Sequence, residues 1–140
     1  MKILIPTMPN DTHAMNVHLA LKKLGHESKL WYTADFPSQQ THSFEIKNND
    51  IAWNARGSDL EIRNEDFDVV WYRRPRKPVL PNTIHPEDQH NALQENILFF
   101  QTFWNTIAPN ATWINPYKNS LAANCKLLQL KAANQVGFKT

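Results

Sequence analysis

The hydrophobic period of this chain switches repeatedly between about 2 and about 3.6, and that switching constrains the fold more than any other feature of the sequence. The opening stretch KILIPTMPNDTHAMNVHLALKKLGHE reads as a short apolar strand, a proline-marked loop, and a helix start at Asn10, Asp11 and Thr12. The helix that follows carries Ala14, Val17, Leu21 and Leu24 on one face and stops at Gly25. ESKLWYTADF supplies the next strand. HSFEIKNNDIAWNARGSDLEI reads as short alternating strands broken by a KNND turn and a turn at Gly57, a β-hairpin excursion from the main pattern. DFDVVWYRRPRKPVLP then begins as another strand. PEDQHNALQENILFFQTFWNTIAP spaces Leu93, Ile97, Phe100, Trp104 and Ile107 by four, three, four and three, which predicts a helix packed on a sheet. ATWINP is a short strand, and YKNSLAANCKLLQLKAANQVGF is helical, in one piece or two, with Gly137 as its stop. Strands separated by helices long enough for right-handed crossovers predict an α/β fold, with a mostly parallel sheet and helices on both of its faces.

A chain of 140 residues is about one domain and can bury roughly two-thirds of its unfolded surface, enough for a core of its own. Five Trp and seven Phe argue against disorder. A net charge of +2 points to no class of partner. The single cysteine, Cys125, has no intramolecular disulfide partner, and no apolar run is long enough for a signal-peptide core or a membrane span. The expectation is a protein of the reducing cytoplasm without a membrane partner.

In open parallel sheets ligands bind beyond the carboxyl ends of the strands. That edge should collect PTMPND, Arg73 and Arg74, and Asn115 with Pro116. Val69, Val70, Trp71 and Tyr72 suit a strand covered on both faces, whereas Pro75, Pro78 and Pro81 remove backbone donors and prevent further pairing. The two arginines should therefore stand at the last residues of the strand. Strand alternation sends Arg73 to the face of Trp71 and Arg74 to the face of Tyr72, so the pair should divide, one serving structure and the other an anion. Local ion pairs with Glu65, Asp66 or Asp68 are the alternative. RRPRK could also be a nucleic-acid patch, but the rest of the chain is near neutral and carries no nucleic-acid motif, so no nucleic-acid partner is expected.

Other chemistries lack support. His13 and His18, like His85 and His90, are five apart, about 140° around a helix, with no neighbouring Cys ligand, so no metal site is expected. The first loop has no glycine-rich fingerprint, and Asp11 would repel a phosphate at the following helix start, which disfavours a nicotinamide or flavin role. Cys125 reads as a small packed residue without partners for nucleophilic catalysis. No catalytic residue is expected.

VVWYRRPRKPVLP, a long helix carrying Glu95, and WINPYKNSLAANCKLLQLKAANQVGF together resemble the N-terminal segment of the ATP-grasp ligases that mature ribosomally made peptides, the microviridin or graspetide type. The resemblance covers essentially the whole chain. It implies that residues 1–140 are a single Rossmann-like pre-ATP-grasp domain, the N-terminal part of a longer ligase whose catalytic lobes are absent here. In the full-length enzyme it implies ATP and Mg2+ as cofactors and a precursor peptide as partner. The activity so implied joins a peptide carboxylate, activated as an acyl-phosphate, to an amine or a hydroxyl. The chain alone should then bind neither cofactor tightly and catalyse nothing. Lys126 stands where ATP-grasp enzymes commonly place a lysine that reaches the nucleotide phosphates, and Arg73 and Arg74 match strand-end arginines that face the catalytic lobes, where they would meet phosphate or an acidic substrate. A free-standing, non-catalytic binding module or partner subunit of a separate ligase is the alternative, and a homodimer stays open. A long exposed apolar patch around the last helix would favour the missing lobes; a polar finish would favour the free-standing module.

Overall fold

The structure is a computed structural model that describes residues 1–48, 50–63 and 67–139. In chain order the elements are β1 (Lys2–Thr7), α1 (Thr12–Lys23), β2 (Glu27–Tyr32), β3 (Gln40–Lys47), β4 (Asp50–Gly57), β5 (Glu61–Arg63), β6 (Val69–Trp71), α2 (Gln89–Phe103), β7 (Thr112–Ile114), α3 (Tyr117–Ala123) and α4 (Lys126–Gln135). Four strands form a parallel sheet in the order β2-β1-β6-β7, and β3-β4-β5 form a separate antiparallel sheet. The hairpin excursion is thus a sheet of its own. The KNND turn includes Asn49, which lies outside the described residues.

Burial explains the layering. β1 is central and covered on both sides, and every residue after Lys2 in it is buried. On one face Ile3 and Ile5 pack with Ala14 of α1, joined by the half-buried Leu21, Leu30, Val69 and Trp71. On the other, Leu4, Trp31 and Val70 pack against Phe100, Phe103 and Trp104 from α2 and its exit, and against Trp53, Ala55 and Ile62 of the antiparallel sheet. Trp31 is the centre of that side, at 0% exposure, with the rings of Phe103, Trp104 and Trp53 at centroid distances of 5.5, 5.3 and 5.6 Å. Its indole N–H donates to Oε1 of the buried Gln40 at 3.0 Å, so the polar atom carried into the core is satisfied.

Helix ends follow the expected capping chemistry. Asp11 caps α1, accepting from the Ala14 N–H at 3.2 Å. Gly25 takes φ +80°, which lets the Gly25 and His26 N–H groups return to the Lys22 and Leu21 carbonyls, both at 3.0 Å. Gly137, at φ +92°, does the same for α4, with Gly137 and Phe138 donating to Asn134 and Ala133.

Three readings of the sequence need correction. The inner stripe of α1 runs through Ala14, His18 and Leu21 rather than Val17 and Leu24, which are exposed. His18 is drawn inward because Ser28 Oγ on β2 lies 2.8 Å from its Nδ1, whereas Leu24 already belongs to the terminal turn. Trp71 is half-buried, because only the short helix α1 covers its face. Cys125 is exposed, at the junction of α3 and α4, instead of packed. Among the described residues no helix is long and apolar enough to cross a membrane.

Candidate functional site

At the carboxyl edge of the parallel sheet, β6 ends at Trp71, two residues before the first arginine. Tyr72 N–H still donates to the Ile114 carbonyl of β7 at 2.7 Å, but the N–H groups of Arg73 and Arg74 both turn onto the Pro6 carbonyl of β1, at 3.2 and 3.3 Å. Two successive donors sharing one acceptor break the pleat, so the expected division of the arginines by strand alternation stops at Tyr72. The arginines follow the strand rather than ending it.

Arg73 returns over the half-buried Trp71, with its guanidinium carbon 5.7 Å from the indole centroid, a cation–π distance. Its Nε stands 3.4 Å from Oδ2 of Asp11. This is charge contact without an aligned hydrogen bond: Nε has no hydrogen-bond partner despite its burial. Asp11 is 3% exposed, and burial alone would raise its carboxyl. The Ala14 N–H, the Thr7 hydroxyl at 3.1 Å, and the charges of Arg73 and Arg74 outweigh that and hold its pKa below the ordinary value. Both arginines therefore act on one buried carboxylate. Arg74 itself is exposed and, among the described residues, makes no side-chain hydrogen bond or close ion pair; it acts on Asp11 through charge alone. Of the carboxylates named as alternative partners, Asp68 instead accepts the Lys2 N–H at 2.7 Å, and Glu65 and Asp66 lie outside the described residues.

The next cation is also placed here. Arg76 Nε donates to Met8 Sδ at 2.9 Å, while its backbone is pinned by Thr33, whose hydroxyl accepts the Arg76 N–H at 2.8 Å and donates to its carbonyl at 3.0 Å. The loop after β1, the segment after β6 and the turn after β2 thus converge. Thr7 and Asp11 lie in PTMPND, the stretch expected at this edge, but the role of Asp11 as the partner of Arg73 and the part played by Thr33 were not legible. Lys126 is apart from this constellation: it is the first residue of α4, exposed, and its Nζ donates to Gln129 Oε1 at 3.1 Å.

A family profile described as "MvdD pre-ATP grasp domain" matches residues 2–120. The chain belongs to that family. The match spans the arginine edge of this pre-ATP-grasp domain and ends before Lys126. Solved structures share the fold: the macrocyclase MdnB from Microcystis aeruginosa MRC is 24% identical at a TM-score of 0.84 over 97% of this chain. The macrocyclase MdnC of the same organism, bound with precursor peptide MdnA, is 24% identical at 0.83 over 99%. A Chryseobacterium gregarium RiPP-associated ATP-grasp ligase, in complex with ADP and a leader and core peptide, is 23% identical at 0.82 over 99%. The pre-ATP-grasp domain corresponds to 44%, 45% and 42% of those chains, less than half of each. No curated protein matched.

Among the described residues no group of three or more His, Cys, Asp or Glu stands together. For a nucleotide, Lys126 offers one exposed point charge, which suits a phosphate but does not enclose one.

Proposed function

We propose that this pre-ATP-grasp domain is the non-catalytic N-terminal part of an ATP-dependent ligase that joins carboxylates to amines or hydroxyls on a ribosomally made peptide. The observation that carries the reading is the face of α3 and α4. Leu121, Leu127, Leu128 and Leu130 are each about half exposed or more, and Val136 and Phe138 beyond them are more than two-thirds exposed. No residue of α4 is buried. Large apolar side chains exposed at this density are costly in water and fit a surface covered by further protein. The structural relatives carry more than as much chain again. The catalytic lobes of the same polypeptide are the occupant we assign.

In this reading ATP supplies the phosphoryl group that activates the peptide carboxylate, and magnesium is held by the lobes. Arg73 and Arg74 present positive charge at the sheet edge to phosphate or to an acidic substrate side chain, with Arg73 aimed by Asp11 and Trp71. Lys126 starts α4 at the junction with the lobes, where its ammonium can meet a nucleotide phosphate. Incubating the lobed polypeptide with ATP, magnesium and a precursor peptide tests the reading by mass spectrometry. Loss of one water per bond formed is expected, and an unmodified peptide alongside an otherwise folded polypeptide overturns it.

A further inference from the structure

Arg76, whose Nε is held at the sheet edge by Met8, and Lys77 also border a groove on the α2 side of the same segment. The strap of residues 72–78, α2 and the start of α3 border an open groove of about 210 Å³. That is below the roughly 300–1,000 Å³ of small-molecule sites, so it has room for a side chain rather than a nucleotide. Its floor is aromatic and apolar. Tyr72 meets Trp104 edge-on at 5.0 Å and Tyr117 at 5.7 Å, with Phe100 and Ile97 beside them. Its rim is cationic, formed by Arg76 and Lys77, and among the described residues no carboxylate lines it.

The strap is held in place before any ligand arrives. Thr33 bonds both backbone groups of Arg76, and the Val79 N–H donates to the Ala34 and Phe36 carbonyls, each at 3.1 Å. Pro75 and Pro78 limit its backbone further. A peptide docking here would therefore order itself and not the protein, which lowers the cost of binding. Aromatic walls want a large apolar side chain, and an uncompensated basic rim wants acidic residues on either side of it.

We propose that this groove seats one large apolar or aromatic side chain of a peptide whose flanking residues are acidic. The inference rests on the ligase reading and names a peptide segment that its non-catalytic domain would hold, apart from the reacting side chains. The test uses the isotope-labelled 140-residue chain, titrated by NMR with capped synthetic peptides Glu-Glu-Phe-Glu-Glu, Glu-Glu-Ala-Glu-Glu and Lys-Lys-Phe-Lys-Lys. The acidic Phe peptide should shift Tyr72, Lys77, Gln101, Tyr117 and the Trp104 indole N–H. The other two should bind about tenfold more weakly. Lys77 is exposed, so Lys77→Glu should leave the free spectrum intact and weaken the acidic Phe peptide roughly fivefold, as should higher salt. Equal binding of the basic peptide, shifts confined to α4, or no shift at all overturns the proposal. The ligase reading is judged separately by dehydration of a precursor peptide, so a missing footprint removes the groove assignment alone.

Discussion

Arg73 and Asp11, sixty-two positions apart in sequence, meet through one contact, Nε to Oδ2 at 3.4 Å, and that contact joins the end of β6 to the cap of α1. The carboxylate is the buried partner, and it accepts hydrogen bonds from the Thr7 hydroxyl and the Ala14 N–H. Asp11 is thus satisfied first as a cap and second as a counter-charge.

Asp11→Ala should cost about 2–3 kcal/mol, combining a lost cap with an arginine left part-buried and unpaired, whereas Asp11→Asn keeps the cap and should cost about 1 kcal/mol. Urea denaturation of the three proteins decides the order. The folded carboxyl titrates below its unfolded value, so its stabilising effect is present above the unfolded pKa and is lost as pH falls through the folded one. A denaturation series into acid should show the wild type losing more stability there than Asp11→Asn.

Arg73→Lys and Arg74→Lys should separate in a full-length ligase. Lysine keeps the charge and loses the planar fork, so both should fold while turnover falls by about tenfold or more at whichever arginine meets the anion. The exposed Arg74 should leave stability within about 0.5 kcal/mol when changed to Ala. Unchanged turnover in both lysine variants would make WYRRP a purely structural segment.

His42 sits among the rings of Phe36, Trp53, Phe100 and Phe103, at 4.4 to 5.8 Å, and its Nε2 is buried without a partner. Burial lowers its pKa to about 4. A histidine kept neutral in the fold contributes stability that is whole above its unfolded value of about 6.5 and drains as pH falls toward about 4, by up to roughly 3 kcal/mol. His42→Phe should flatten the stability profile across that window. An unaltered slope would place the acid sensitivity elsewhere.

Trp31→Ala should cost about 3–5 kcal/mol, as the removal of a fully buried large aromatic, while Trp71→Ala, half-buried under a small helix, should cost about 1–2 kcal/mol. Lys126→Ala should change stability by less than about 0.5 kcal/mol, since its hydrogen bond is an exposed one to Gln129. Denaturant midpoints report all three, and a strongly destabilising Lys126→Ala would assign that lysine to structure.

These assignments divide by how local their causes are. The ends of α1 and α4 were legible because Gly25 and Gly137 supply a left-handed residue where each periodic run stops. The buried face of α2 was legible because Phe100 and Trp104 share one stripe of one helix, although the helix ends at Phe103 and Ile107 follows in the next turn. The ranking of Trp31 over Trp71 was not, since it depends on the antiparallel sheet folding back over one face of the parallel one. Nor was the contact of Asp11 with Arg73: it needs the Pro6 carbonyl to take two donors and end the pleat, a tertiary event with no trace in the periodicity of either segment.

The proposed interface between the α3–α4 face and the catalytic lobes is read by hydrogen exchange at residues 126–138. In the 140-residue chain alone these amides should exchange quickly, because the helix has no buried residue to hold it. In the polypeptide that carries the lobes the same amides should slow by about tenfold or more, and Leu127→Lys with Leu128→Lys should reverse the slowing while leaving the parallel sheet protected. Identical exchange in the two proteins would contradict the account.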